Sequence, residues 1–219
     1  MKIFKYKSLK STNETAKEIL IDKAVISADM QTEGKGRPGK SFFSPEGGIY
    51  MSIMLKSDLS DAVYLSAAVA VAVCRAIINL TDISPEIKWI NDIYIGGKKA
   101  GGILIENFRG FAIIGIGLNL KNQDFPDDID AVSLNSDIPK DIFINEIAEQ
   151  VFNIIENRDF ILEYRKLSNV IGKEIIVYEN SGNYNAMVID ISDIGELIIR
   201  KDGEVKVLNS TATTIRRMT

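Results

Sequence analysis

Between Thr32 and Lys40 the chain reads Thr-Glu-Gly-Lys-Gly-Arg-Pro-Gly-Lys, with the cations Lys35, Arg37 and Lys40 set among Gly34, Gly36 and Gly39. Glycine lets a backbone approach a ligand closely and adopt positive φ. Successive exposed N–H groups in such a turn form a concavity that holds anions. With the cations added, the segment suits an anion as highly charged as a nucleoside triphosphate; the alternative is a solvated surface loop. It is not the common phosphate loop. The spacing before Lys40-Ser41 fits, but that motif runs from strand into helix, and Phe42 to Leu55 reads as a turn and then a strand.

Three further segments carry chemistry. Read as part of a strand from Glu86 to Ile95, Lys88-Trp-Ile-Asn-Asp92 puts Lys88 and Asp92 on one face and Trp89 and Asn91 on the other. Charges on a buried sheet are paired or used, so this is either a structural ion pair with Trp89 as core anchor or a working site. In Lys98-Lys-Ala-Gly-Gly-Ile-Leu-Ile-Glu106, Lys99 leads into a glycine pair and an apolar strand, a placement suited to gripping a carboxylate or phosphate oxygen; Lys98 reads as a solvated hairpin lysine. Gly115-Ile-Gly-Leu-Asn119 sets two glycines on one strand face, which marks either close approach of a ligand or tight packing of a helix.

Regular elements must position these residues. Ser11-Thr-Asn-Glu14 predicts a helix start, with Ser11 as N-cap and Glu14 closing a capping box, and a helix to about Ile21. Ala24–Asp29 predicts a short buried strand entering the glycine loop, and an alanine-rich core helix runs from Ser60-Asp61 to about Asn79. Gly96-Gly97 predicts a hairpin turn. The apolar runs 101–106 and 111–120, separated by Asn107–Gly110, predict a second hairpin buried on both faces. After a polar loop over 121–137, helices are expected near 139–156 and 158–167. Short strands at 173–178, 185–191, 196–200 and 205–208, punctuated by Ser181-Gly-Asn, Asp193-Ile-Gly195 and Asp202-Gly203, predict a small β-barrel. Adjacent hairpins with flanking helices make the class α+β, a mixed, largely antiparallel sheet flanked by helices. The expected division is 1–168 and 169–219.

Composition narrows the partners. The 219 residues carry a net charge of −4, which argues against indiscriminate nucleic-acid binding. No histidine is present, which excludes triads with a His base and most zinc sites. The one cysteine, Cys74, has no partner for an internal disulfide, and a reduced, cytoplasmic setting is expected. The opening residues do not read as a secretory signal. The most apolar run, Ala67–Cys74, falls short of the roughly 20 residues that span a bilayer, so no membrane role is expected.

Taken in order, five motifs resemble those of the biotin protein ligases: Ser11-Thr12-Asn13, Gly34–Lys40 with Ser44-Pro45, Lys88–Asp92, Lys99–Glu106 and Gly115–Asn119. Lys35 and Lys40 stand where the family has arginines, Phe42 where it often has Trp, and Ile90 where it has Pro. The family's small SH3-like C-terminal domain resembles the β-rich tail. The motifs begin almost at Met1, so the resemblance implies the form without an N-terminal DNA-binding domain and no operator-binding role.

The resemblance further implies a reaction in two steps. Biotin carboxylate attacks the α-phosphate of ATP to give biotinyl-5′-AMP and pyrophosphate, and a carrier-protein lysine then displaces AMP. Lys99 would hold the carboxylate and α-phosphate, Arg37 would close over the adenylate, and Asp92 would orient or deprotonate the incoming lysine. Biotin would be bound by Ser11, Thr12, Asn13, Gln31, Lys35, Gly36, Arg37, Lys99, Gly102, Leu104 and Gly115. The nucleotide would meet Arg37, Lys40, Phe42, Lys88, Asn91, Lys99, Asn119 and Arg216, with Mg²⁺ bound through ATP phosphates and not by a protein metal site. The implied partner is a biotin carboxyl carrier protein; a homodimer is compatible. A lipoate or octanoate ligase of the same fold, and a non-catalytic biotin or adenylate sensor, are the competing readings.

Overall fold

A computed structural model describes residues 1–37, 39–56, 62–179, 182–208 and 213–217. Pro38 of the glycine loop, the expected helix start at Ser60-Asp61 and Ser181 of one expected turn lie outside these residues. The chain opens with β1 (Lys2–Leu9), α1 (Thr12–Ile19), β2 (Ala24–Gln31), β3 (Ile49–Lys56) and α2 (Ala62–Leu80). It continues with β4 (Glu86–Lys88), β5 (Asp92–Ile95), β6 (Lys98–Phe108), β7 (Phe111–Leu118), α3 (Lys140–Asn157) and α4 (Ile161–Leu167). The tail forms β8 (Glu174–Glu179), β9 (Gly182–Ile191), β10 (Leu197–Lys201), β11 (Glu204–Leu208) and β12 (Thr214–Arg217). Seven strands form one sheet in the order β1-β2-β3-β7-β6-β5-β4, in which β1 and β2 run parallel and the other neighbours antiparallel. The second sheet, β11-β10-β9-β8-β12, is antiparallel throughout.

Alternation along the central strands sorts the large sheet into two unlike faces. Met51, Ile53 and Leu55 of β3 and Ile114 and Ile116 of β7 join α2 and α3 in the main core. Ile26, Met54 and Ile113 instead pack on Ala16 of α1. Continuing the same alternation, Tyr50, Ser52, Gly115 and Gly117 lie on the α1 face. Helix α1 covers only part of that face, and the small residues beyond it leave room for a site.

Several expectations change. The capping box does not form: Ser11 makes no side-chain cap bond, and Glu14 turns instead to Lys17 and Lys35. Two ammonium groups offer a carboxylate more than one backbone N–H does. The expected strand 86–95 is two antiparallel strands, because the chain reverses through Trp89–Asn91 and brings Lys88 directly opposite Asp92. The second hairpin turns more tightly than expected, at Arg109-Gly110, both at positive φ (50° and 76°). Gly96 and Gly97 form the predicted turn, likewise at positive φ (56° and 82°). The apolar stretch near Cys74 is longer than the sequence suggested: α2, at 19 residues, is long and apolar enough to cross a membrane, but it is mostly buried, packing against α3, α4 and β6. Thr214–Arg217, not expected as a strand, pairs with β8 as β12.

Candidate active site

A cavity of about 360 Å³ opens on the α1 face, bounded by the α1 start, the glycine loop, the β4–β5 turn, β6, β7 and the first residues of β12. Ser11, Thr12 and Asn13 come from the N-terminal end of α1, and Gln31 from the end of β2. Gly102 and Leu104 of β6 and Gly115 and Gly117 of β7 form the floor, where the register pairs Gly102 with Gly117 and Leu104 with Gly115. The missing side chains admit the protein's own groups: a Cβ on Gly115 would stand 2.5 Å from Asn13 Oδ1, and one on Gly117 2.5 Å from the Phe42 ring. The packing account of the glycine pair therefore holds, since an α1 residue packs closely, and the cavity lies over the same two positions.

Opposite charges meet at the middle of the cavity. Lys99 Nζ lies 2.6 Å from Asp92 Oδ1, both side chains half-buried, and Gly102 leaves open the space beside the pair. The register explains the contact, because Asp92 is paired to Gly102 across β5 and β6. Lys98, its sequence neighbour, points to solvent near Asp130 as expected. Asp92 carries the one carboxylate among the described residues lining the cavity.

The glycine loop folds over the cavity and is tied down at three places. Gly36 N donates to Lys40 O at 2.9 Å, closing a tight turn. Arg37 donates to Asn91 Oδ1 at 2.8 Å and to the Thr213 carbonyl at 3.4 Å, so it joins loop, β4–β5 turn and tail. Lys35 Nζ lies 2.7 Å from Glu14 Oε1. Hydrogen bonds from Lys35 and then Lys17 hold Glu14 below the usual carboxylate value. Burial works against the charge on Lys17, but its hydrogen bonds to Glu106 and Glu14 outweigh that and leave its pKa raised. At the loop's other end Phe42 stands edge-on to Tyr50, whose hydroxyl donates to Pro45 O at 2.7 Å and accepts from Asn122 at 2.8 Å. Burial pushes Tyr50 up to about 12, so the ring remains a neutral donor.

Of the residues expected from sequence, seventeen gather on this one cavity: Ser11, Thr12, Asn13, Gln31, Lys35, Gly36, Arg37, Lys40, Phe42, Lys88, Asn91, Asp92, Lys99, Gly102, Leu104, Gly115 and, from the same glycine motif, Gly117. Two do not. Asn119 is buried just past the end of β7, where Nδ2 donates to Val132 O and its backbone N–H to Ala100 O. Arg216 lies exposed on β12, while Thr214 and Ile215 of that strand reach the cavity in its place. Trp89, treated from sequence as a core anchor, both lines the cavity and donates its indole N–H to Gly195 O at 2.9 Å.

A glycine-floored cavity with an acceptor-rich wall at one end, a lysine–aspartate pair in the middle and a cationic loop above has the layout of an enzyme that activates a carboxylic acid on a nucleotide. Residues 6–120, just over half of the sequence, match the family described as "Biotin/lipoate A/B protein ligase family", and the chain belongs to it. Among curated proteins it is similar to the bifunctional ligase/repressor BirA of Bacillus subtilis, at 32% identity over 92% of this chain and 70% of that protein. It is also similar to the biotin–[acetyl-CoA-carboxylase] ligase of Mycobacterium tuberculosis, at 29% identity over 87% of this chain and 78% of that one. Among solved structures, the biotin protein ligase of Aquifex aeolicus in complex with biotin and ATP superposes with a TM-score of 0.92 at 25% identity, covering 99% of both chains.

Proposed function

We propose that this chain activates biotin with ATP and passes it to a lysine of a carrier protein, with the work divided along the cavity. The observation that carries the reading is the Lys99–Asp92 pair, which lies in one continuous space with the polar wall of Thr12 and Gln31 and the cations of the glycine loop. Joining two anions requires charge neutralisation at the point of contact. Lys99 is placed to hold the biotin carboxylate against the α-phosphate as a carboxylate oxygen attacks phosphorus and the bond to pyrophosphate breaks. Arg37, Lys35 and Lys40 neutralise the adenylate from above, and the closed loop keeps water from the mixed anhydride. Lys88 and Asn91 flank the nucleotide side.

In the second step the acceptor ε-amine attacks the acyl carbon, AMP leaves, and the amine sheds a proton. Asp92, freed as Lys99 turns to the phosphate, orients the amine and takes that proton. Asp92 is the one carboxylate among the described lining residues, too few to cage a metal ion there. Magnesium accordingly arrives as MgATP, part of the substrate. The acceptor is the biotin-accepting domain of a carboxylase, in the cytoplasm.

ATP–pyrophosphate exchange with biotin, lipoate and octanoate supplied in turn tests the reading. Exchange with biotin alone is expected. Exchange with lipoate or octanoate in its place would move the chain to another branch of the family, and exchange with none would make it a binding protein.

A further inference from the structure

Beside the cavity floor, on the same face of the sheet, a line of hydrogen bonds begins at a residue so far given no role, Glu106. Its Oε1 takes the Lys17 ammonium at 2.8 Å, and its Oε2 accepts from Asn13 Nδ2 at 2.8 Å. A carboxylate is acceptor-only, so the Asn13 amide must face it with nitrogen and turn Oδ1 the other way. That oxygen lies 2.6 Å from Ser52 Oγ, and it also only accepts, so the single Ser52 proton is committed to it. Ser52 Oγ is then an acceptor toward Thr12 Oγ1, 2.8 Å away. The other neighbour of the Thr12 hydroxyl is Gln31 Oε1 at 3.1 Å, again an acceptor. Whichever of the two it chooses, the Thr12 proton points into the protein and its lone pairs face the cavity. Gln31 is fixed in the same sense: Oε1 accepts from Thr12 N at 2.8 Å, Nε2 donates to Ser44 Oγ at 3.0 Å, and the Ser44 proton goes to the Phe42 carbonyl.

We infer that Glu106 is a positioning residue that sets the hydrogen-bond polarity of the wall at Thr12, making it an obligate acceptor for a ligand ring that carries N–H groups. The inference rests on the biotin reading and adds a basis for selecting a ureido ring over the dithiolane of lipoate, which has no N–H to give. In Glu106→Gln the Lys17 ammonium draws the amide oxygen to itself and leaves the nitrogen facing Asn13. Asn13 then flips, its nitrogen faces Ser52, and the Ser52 proton is redirected onto Thr12. One lone pair is lost from the wall.

The test is ATP–pyrophosphate exchange kinetics on the full chain with biotin and ATP varied in turn. Glu106→Gln is expected to raise KM for biotin roughly tenfold, the worth of about one hydrogen bond. KM for ATP and kcat should stay where they were, so the loss is confined to biotin binding. Adding Asn13→Asp to Glu106→Gln restores an acceptor-only group beside Ser52 and should recover most of the lost biotin affinity, whereas Asn13→Asp alone sets two carboxylates face to face and should be worse. Ser52→Ala cuts the line and leaves Thr12 to donate to Gln31 Oε1, so in that background Glu106→Gln should no longer change the biotin KM. An unchanged biotin KM, an equal rise in the KM for ATP, or no recovery in the double variant would overturn the inference. Absence of biotin-dependent exchange in the unsubstituted protein would instead remove the ligase reading beneath it.

Discussion

At the scale of single residues, Lys99 carries the largest chemical demand and the smallest structural one. Its partner Asp92 keeps access to solvent, so losing the ammonium does not strand a fully buried charge. Partly exposed ion pairs contribute about 0–1 kcal/mol. Removing a group that stabilises developing charge costs roughly 10²–10³ in rate. Lys99→Ala is therefore expected to lose biotin-dependent pyrophosphate release by about that factor while its thermal midpoint stays close to that of the parent. Near-normal release from the folded variant would remove Lys99 from the chemistry. The Lys99 position was legible because a lysine before two glycines and an apolar strand leaves few structural uses. Asn119 and Arg216 show what a motif leaves open, because it gives proximity along the chain and not direction: Asn119 follows the end of β7 with Nδ2 turned to Val132 O, and Arg216 lies exposed on β12.

Among the elements, the hairpins were readable from paired positive-φ turn residues such as Gly96-Gly97, and the core strands from their apolar runs. The reversal at Trp89–Asn91 was not, because its alternating apolar residues continue the strand pattern straight through the bend. The capping box failed for a related reason, since the partners that draw Glu14 away include Lys35, far along the chain on the glycine loop. That contact makes loop position depend on pH. Glu14 has its pKa lowered in the fold, by Lys35 first and Lys17 next, so its contribution is present above the ordinary value of 4.5 and disappears as pH falls through the folded value. The raised pKa of Lys17 acts in the opposite direction, holding below 10.5 and fading as pH rises through its folded value. The stability difference between the parent and Glu14→Gln should accordingly be level from about pH 6 to 9 and shrink as pH falls below 4.5. At neutral pH the variant should be cut faster by trypsin after Lys35 and Lys40, and biotinyl-AMP should slow cleavage in both proteins. Equal cleavage with and without the adenylate would show that the loop does not close over the intermediate.

Over the whole molecule, the sequence suggests a division at Ser168-Asn169, but the side chains do not part there. Val170, just before the second sheet, and Ile175, Val177, Val188, Ile191, Leu197 and Ile199 within it belong to the same apolar cluster as α2, Trp89, Phe160 and Tyr164. Polar contacts reinforce the seam: Trp89 donates to Gly195 O, and Arg165 of α4 donates to Ile191 O while pairing with Asp190 and Asp193. Ala67 of α2 meets Gly195 so closely that a Cβ there would stand 3.0 Å from it. The same seam delivers Thr214 and Ile215 to the cavity and gives Arg37 the Thr213 carbonyl. A cluster shared in this way should melt as one unit. Trp89 is the only tryptophan and sits at the junction, so its fluorescence reports the seam and far-UV circular dichroism the bulk. The two signals are expected to share one urea midpoint. Trp89→Phe removes the indole donor and leaves the Gly195 carbonyl without it, which should lower stability by about 1–3 kcal/mol and shift both signals together. Fluorescence that changes at lower urea than the dichroism would mean the second sheet separates first, and the cavity would then lose its β12 wall before the rest unfolds.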